Sequence, residues 1–560
     1  LTTAPGGARP VSAAGAGRRV WVAALALVLL NALLSMNNLW PTPLVVPDHR
    51  LSPELVVLWC GLLAYGRWVG VPGPRLLTWL GIALTLLVLG RYADITVPAL
   101  FGRPINLYWD GAQLPRFLAV SAQDLPGPRL VGLAAVGAAV LGLIWLLYRG
   151  LRALLGVVVR AAVPPALGSR ACLLASAVAA VVVAGNYAGV RATWPVVSKP
   201  VLPTYLRQAE LLAAAFLPGR LETVLPPSLP FDGGVAALDG ADVTVIFLES
   251  YGAVAFDDAR MHAQLAPQRD RLARGIAASG RQVMSAFVTS PTFGGASELA
   301  HLGLLSGLDL SDPLRHDLLL TSARPTLVSF LRGHGYRTFG LYPALSWDWP
   351  EKAFYGFDVF IDGRDLGWRG PKLGLWWIPD QFTIARFDEL HGSADGPPRL
   401  LFFPTITSHA PFSPVPPFQP DWERMLSAAP YDAPDVARSL AQRTDWLDLY
   451  PGFTGMIGYT YDWLGAWLER PRVRRELLLL LGDHQPTAGV TGPAARWDVP
   501  VHVVSDDPRM LRRLRDAGFV PGLDPEPRPI GPLHGLTGLL LELFDGREPA
   551  AARRSGGAPG

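Results

Sequence analysis

The feature that most narrows what this chain can fold into is its longest uncharged run, residues 20–47. About 20 apolar residues already cross the hydrocarbon of a bilayer, and only a helix satisfies its own backbone there. Similar runs follow, and we place five membrane helices at about residues 20–40, 54–71, 75–95, 129–149 and 170–190. Arg67 interrupts the second, but an arginine near a helix end can snorkel to the interface. Arg18 and Arg19 precede the first helix, Arg67 and Arg75 separate the second from the third, and Arg149, Arg152, Arg160 and Arg170 separate the fourth from the fifth. The positive-inside bias therefore puts the N-terminus in the cytoplasm, and five spans put everything after residue 190 outside it. A cleaved signal peptide is the competing account of the first run, but no small-residue cleavage site follows it cleanly.

Hydrophobic residues make up 50% of the 560 and the mean hydropathy is +0.27, which agrees with membrane spans. A net charge of +3, with no basic tract, argues against a nucleic-acid partner. Both cysteines, Cys60 and Cys172, lie in apolar segments, so the polar half owes nothing to disulfides. Between the third and fourth spans, Arg91, Asp94, Asn106, Tyr108, Trp109 and Asp110 suit an aromatic interfacial loop or the entrance for a lipid. Residues 1–190 are thus read as the anchor, and the Pro-rich stretch 191–240, with one helical piece at 204–216, as a linker along the membrane.

Beyond residue 240 the pattern changes. Short apolar runs at 243–248, 336–341, 400–407, 477–481 and 499–504 alternate with helical patterns such as 325–333 and 455–468. That alternation predicts an α/β domain over 241–545 with a mostly parallel central sheet, followed by a disordered tail over 546–560. Open α/β sheets place their sites at the C-terminal ends of strands. Glu249, His409 and the Asp483-His484 pair all sit there.

Glu249, Asp483 and His484 supply two carboxylates and an imidazole, a donor set that suits one divalent ion, Zn²⁺ or Mn²⁺. Ser297 follows Gly294-Gly295-Ala296 at the start of a helical pattern, and its hydroxyl would complete four ligands and act as nucleophile. Ser290 and Thr292 share its loop and compete for that role. His409 is placed to protonate a leaving alkoxide or to hold a phosphate oxygen. His301, one helical turn after Ser297, reads as packing or support for the site. His502 alternates with apolar neighbours and reads as a sheet histidine or a substrate ligand; Trp347 and Asp348, in an aromatic tract, are candidates for a substrate rim.

Phe-Leu-Glu249-Ser-Tyr, Gly-Gly-Ala-Ser297, Ser-His409-Ala-Pro-Phe and Leu-Gly-Asp483-His484-Gln-Pro together resemble the sulfatase-like branch of the alkaline phosphatase superfamily. In both halves the chain is similar to the membrane-anchored group that contains lipoteichoic-acid synthases and phosphoethanolamine transferases. The resemblance implies five spans in a bacterial cytoplasmic membrane followed by an extracytoplasmic catalytic domain. It implies a metal held by Glu249, Ser297, Asp483 and His484, with His409 at the substrate. It also implies a two-step transfer of a phospho-alcohol group from a phospholipid donor, through the nucleophile, to an envelope glycan or lipid acceptor. The chain departs from that group in having Ser297 where threonine is usual, and Trp347-Asp348-Trp349 where the lipoteichoic-acid synthases have an arginine beside a tryptophan. It lacks cysteine in the outer domain, unlike many phosphoethanolamine transferases, and Ser297-Glu-Leu-Ala-His301 is not a formylglycine motif. Hydrolysis of phosphate or sulfate esters with water as acceptor, and a non-catalytic membrane protein that only binds a ligand, stand as alternatives.

Overall fold

A computed structural model describes residues 13–546 apart from 40–41, 102–103, 108–109, 112–114, 116–126, 188–195, 217–224, 347–348, 375–376, 394 and 493. The chain divides into two compact units, one of residues 1–98 with 104–213, the other of 99–103 with 214–560.

The first unit is helical. The five expected spans coincide with the helices Ala13–Ser35, Pro53–Trp68, Pro74–Phe101, Gly127–Ala161 and Arg170–Tyr187. Among the described residues, however, only two stretches are long and apolar enough to cross a membrane, Pro74–Leu100 and Ala134–Leu167. The five-span count is thereby cut to two candidates among these residues. The run 20–47 is longer than its helix, because after Ser35 the chain turns into a small antiparallel pairing of Asn37–Asn38 with Val45–Val46. The next helix starts sharply at Pro53, where the Ser52 hydroxyl accepts from the Leu55 N–H, and ends at Trp68. Its 16 residues rise only ~24 Å, short of the ~30 Å of hydrocarbon.

The packing still has a membrane character. Leu30, Leu34, Leu151 and Leu155 are buried inside the unit while Trp21, Leu25, Leu141 and Trp145 point outward. Helices apolar on both faces belong in lipid. Arg91 lies within a helix rather than in a loop, buried, and donates to the carbonyls of Met36, Ser35 and Lys199 and to Asn37 Oδ1. It closes the open carbonyl end of the first helix. Asp94 accepts from the Thr204 hydroxyl, and Asp110 from the Asn106 N–H. Tyr108 and Trp109 lie outside the described residues. The helical piece of the linker is Leu202–Phe216, and the tail after Gly546 is likewise outside the described residues.

The second unit is built on one sheet of nine strands: β1 Asp242–Leu248, β2 Gln282–Thr289, β3 Arg337–Tyr342, β4 Val359–Asp362, β5 Arg399–Pro404, β6 Glu476–Gly482, β7 Asp498–Ser505, β8 Val520–Pro521 and β9 Pro529–Pro532. Their order is β8-β2-β7-β6-β1-β5-β3-β4, with β9 beside β2. From β4 to β6 every pairing is parallel; β6–β7, β7–β2 and β2–β8 are antiparallel. The expected mostly parallel sheet is therefore a mixed one with a parallel centre. β1 sits in that centre, with Ile246 opposite Leu480 on one side and Phe403 on the other. Its residues alternate between two cores, Val243, Val245 and Phe247 on one face and Ile246 and Leu248 on the other. Helices cover both faces, which is why these strands read as unbroken apolar runs. The helices Ala259–Ala278 and Tyr450–Glu469 pack backbone to backbone, since a Cβ on Gly275 would stand 2.3 Å from the Gly465 carbonyl oxygen.

Candidate active site

The ends of β1 and β6 bring the first ligand candidates together. Directly after β1, Ser250 takes a left-handed turn, φ 58°, and Glu249 folds back over the sheet edge. The Glu249 N–H donates to Thr405 Oγ1 at 3.0 Å, its carbonyl accepts from Ser408 Oγ at 2.7 Å, and Oε1 accepts from Ser250 Oγ at 2.9 Å. The neighbouring strand ends in Gly482, where a Cβ would lie 1.9 Å from the Tyr251 carbonyl oxygen. Only glycine lets the two strand ends run this close. Asp483 follows, and its Oδ1 accepts from the backbone N–H groups of Ser250 at 2.8 Å and His484 at 2.7 Å.

Ser297 arrives from the opposite side, on the loop after β2. Gly294 at φ 65°, Gly295 at φ 140° and Ala296 at φ 61° turn the chain so that the helix Ser297–Ser306 starts with its first side chain over the cluster. Ser297 Oγ is 3.2 Å from Glu249 Oε2 and 3.2 Å from His484 Nε2. The competing hydroxyls on this loop are committed elsewhere: Ser290 donates to the Asp483 carbonyl and Thr292 to the Gly295 carbonyl, and both residues are buried.

The donor chemistry of the cluster fits a cation. The ligand atoms of Glu249, Asp483 and His484 all lie within 4.8 Å of one another, and all three residues are buried. His484 Nδ1–H donates to the Gln485 carbonyl at 2.7 Å, which leaves the lone pair on Nε2, facing Glu249 Oε1 at 3.5 Å and Asp483 Oδ2 at 3.6 Å. Asp483 Oδ2 is buried without a hydrogen-bond partner. The three ligand groups thus face one another in a buried pocket. Burial, and then the adjacent Asp483, push the Glu249 carboxyl well above the usual carboxylate range. Burial pulls Asp483 the same way, but His484 and His301 outweigh it and hold Asp483 low. A divalent ion bound there would allow both carboxyls to be ionised at once.

His409 stands on the loop after β5, half-buried, its Nδ1–H donating to the Ala410 carbonyl at 2.7 Å. Burial first, and His484 among its neighbours, lower its pKa. A residue that the sequence reading passed over fixes this loop. Asp380 is fully buried and accepts from the N–H groups of Ile406 and Thr407, both at 2.9 Å, while the His409 N–H donates to the Ile406 carbonyl. The signal was present: an acid between Pro379 and an apolar helix start has few reasons to be there except a buried role.

Asp380→Ala is expected to leave two buried N–H groups unpaired, cost about 2–4 kcal/mol in stability and lower activity about tenfold through a displaced His409. Burial raises the Asp380 pKa to about 6. The folded state therefore holds this proton more tightly than the unfolded one. The resulting stability is present below the unfolded value and is lost as pH rises to about 6, a change on the order of 3 kcal/mol. Melting curves of wild type and Asp380→Asn across that range check it, because the wild-type advantage should shrink with pH and then level off.

The remaining candidates separate clearly. His301 is buried between Phe247 and Phe402, with ring centroids 4.6 and 5.8 Å away, and burial takes its pKa to about 4; it packs the helix of Ser297 onto the sheet. His502 is 1% exposed in β7, with Nδ1 against Ser285 Oγ at 2.6 Å and Nε2 against the Tyr251 hydroxyl at 3.0 Å. Both ring nitrogens are spent inside the sheet, so the substrate reading of His502 is corrected to a sheet histidine. Trp347 and Asp348 lie outside the described residues. Their neighbours Tyr342, Trp349 and Phe360 form a packed ring cluster at centroid distances of 5.1–5.8 Å.

Residues 246–485 match the Sulfatase family model. A curated relative, the putative cyclic beta-1,2-glucan modification protein of Rhizobium meliloti (strain 1021), is 23% identical over 270 residues, 46% of this chain. The match spans 38% of that relative's length. Among solved structures, the integral membrane protein lipooligosaccharide phosphoethanolamine transferase A of Neisseria meningitidis is 13% identical, covers 88% of each chain and has a TM-score of 0.45. The lipoteichoic acid synthase LtaP of Listeria monocytogenes is 13% identical over 56% of this chain and 78% of its own, with a TM-score of 0.36. The Streptococcus pyogenes phosphoglycerol transferase GacH is 11% identical over 60% of this chain and 84% of its own, with a TM-score of 0.33.

Proposed function

We propose, from the match of residues 246–485 to the Sulfatase family model, that this chain is a membrane-held, metal-dependent phosphotransferase of the alkaline phosphatase superfamily. It moves a phospho-alcohol group from a phospholipid to an envelope glycan or lipid through a covalent bond to Ser297. Residues 1–190 serve as anchor, 191–240 as linker and 241–545 as an extracytoplasmic catalytic domain. One observation carries the reading: Ser297 Oγ stands 3.2 Å from members of a buried two-carboxylate, one-imidazole cluster, at the first residue of a helix.

Glu249, Asp483, His484 and Ser297 would hold one divalent ion, Zn²⁺ or Mn²⁺. Such an ion, when bound, lowers the pKa of a coordinated hydroxyl and offsets charge on phosphoryl oxygens. The protein supplies the rest. The Ser297 proton leaves toward Glu249 Oε2, 3.2 Å away. Oγ then bonds to phosphorus as the bond from phosphorus to the lipid alcohol breaks. The exposed N–H groups of the helix start face the phosphoryl oxygens and the helix dipole favours their charge. An arriving phosphodiester anion favours protonated His409, which gives its proton to the departing alkoxide. In the second half the acceptor hydroxyl loses its proton to His409 and attacks phosphorus as the bond to Ser297 Oγ breaks, and Oγ takes its proton back from Glu249.

Intact-mass spectrometry of the full chain in detergent, incubated with a membrane lipid extract and Mn²⁺ or Zn²⁺, tests this. The expected result is an adduct on Ser297 whose mass names the head group. Turnover of lipid with release of free head group and no serine adduct at any time would instead assign direct hydrolysis.

A further inference from the structure

The second unit holds another cavity, and the site described above does not use it. A cleft of about 430 Å³ opens between the helices Ala259–Ala278 and Tyr450–Glu469, lined among others by Arg260, Gln264, Gln268, Phe418, Tyr450 and Asp462. Its floor is made by missing side chains, because Gly455 and Gly458 lie one turn apart on the second helix and face into it. A helix-interior glycine costs about 1 kcal/mol relative to alanine. At Gly275 and Gly465 backbone contact demands glycine, but at Gly458 a Cβ would meet nothing nearer than the Gln268 side chain at 3.8 Å. Packing does not require this glycine. Open space does.

The lining tells what would fill that space. The Arg260 guanidinium lies over the Tyr450 ring, 4.6 Å from its centre, and Asp462 Oδ1 is 3.0 Å from Arg271 Nη1. The one lining carboxylate is thus paired and leaves no free counter-charge for a cation. What is unspent is an amide: Gln268 Oε1 is buried with no hydrogen-bond partner. It asks for a neutral donor such as a hydroxyl. Gln264 sits one turn away on the same helix, and the Tyr450 and Phe418 rings offer apolar surface to C–H groups. A small uncharged molecule rich in hydroxyls meets these needs. The cleft also shares chain with the active site. Val415 in its wall is six residues after His409, and Gly452, in the first turn of the helix carrying Gly455 and Gly458, would place a Cβ 2.7 Å from the Phe412 carbonyl oxygen.

We propose that this cleft is a binding subsite for a neutral saccharide, which holds a glycan acceptor beside the His409 loop. Its role as acceptor site rests on the transfer reading above; saccharide binding itself does not.

The test is calorimetric titration of the full chain in detergent with neutral β-1,2- and β-1,3-linked glucan oligosaccharides and with a uronic-acid oligosaccharide as control. At least one neutral glucan is expected to bind saturably, and Gln268→Leu and Gly458→Leu are each expected to weaken it at least tenfold. Both variants should melt no lower than wild type and keep the wild-type rate of bis(p-nitrophenyl) phosphate hydrolysis. Binding unchanged in both variants, preference for the acidic oligosaccharide, or no saturable neutral glucan would overturn the subsite. Saccharide binding that depends on Gln268, combined with phosphodiester cleavage that survives Ser297→Ala, would keep the subsite and overturn the transfer reading.

Discussion

Ser297→Ala is expected to reduce head-group transfer by about 10³- to 10⁶-fold, the range seen when an enzyme's nucleophile is removed. The protein should otherwise be unaffected, and the structure says why. Ser297 is the first residue of its helix, but Ala296 occupies the capping position and no side chain caps that end. Its hydroxyl hydrogen-bonds to the cluster residues Glu249 and His484. Losing it removes no cap and opens no cavity, so the melting temperature should move by no more than a surface substitution would, within about 0.5 kcal/mol. Ser297→Thr keeps the hydroxyl on a half-buried residue and should restore transfer to within about a hundredfold of wild type. The measurement is release of lipid head group with melting curves on the same preparations. Ser297→Ala at near wild-type rate, or Ser297→Thr as inert as Ser297→Ala with an intact fold, would remove Ser297 from the chemistry.

The parallel centre of the sheet was legible because each central strand is buried on both faces and therefore apolar throughout, as in Val243–Leu248 and Leu477–Leu481. The antiparallel flank was not. β2, Gln-Val-Met-Ser-Ala-Phe-Val-Thr, breaks its apolar run with Ser285, whose hydroxyl is needed by His502 two strands from the centre. That polar pair lies in different strands, so no local pattern announces it. The ligand candidates were legible because chemistry and position coincide: Glu249 and Asp483 are each the first polar residue past an apolar strand end, and His484 follows directly. What could not be read was commitment. Ser290, Thr292 and Ser297 look alike in sequence, and only the fold shows two hydroxyls turned to backbone carbonyls and one to the cluster. In the membrane half the difficulty was different. Apolar run length overstates helix length where a run continues through a turn, as it does past Ser35.

The second large effect concerns the cation, and Asp483→Asn separates its presence from its absence. In Asp483, Oδ1 already accepts two backbone N–H groups, while Oδ2 is the buried atom without a partner. Asparagine keeps the first oxygen as acceptor and replaces the second with an NH₂ group. In the metal-free protein that donor faces Glu249 and the lone pair of His484 Nε2, so a buried atom without a partner gains one. Metal-free Asp483→Asn is therefore expected to melt above metal-free wild type, by the equivalent of about 1–3 kcal/mol. With metal the order should reverse. Zn²⁺ or Mn²⁺ at about a hundred times its dissociation constant adds ~2.7 kcal/mol to a protein that binds it only when folded. Wild type should gain that increment and Asp483→Asn, short of one anionic ligand, little of it. Chelation should silence wild-type transfer reversibly, while Asp483→Asn stays inactive at any metal concentration. If instead added metal raises the melting temperature of Asp483→Asn as far as that of wild type, the cation sits elsewhere, and the cluster of Glu249, Asp483 and His484 loses its claim to the chemistry.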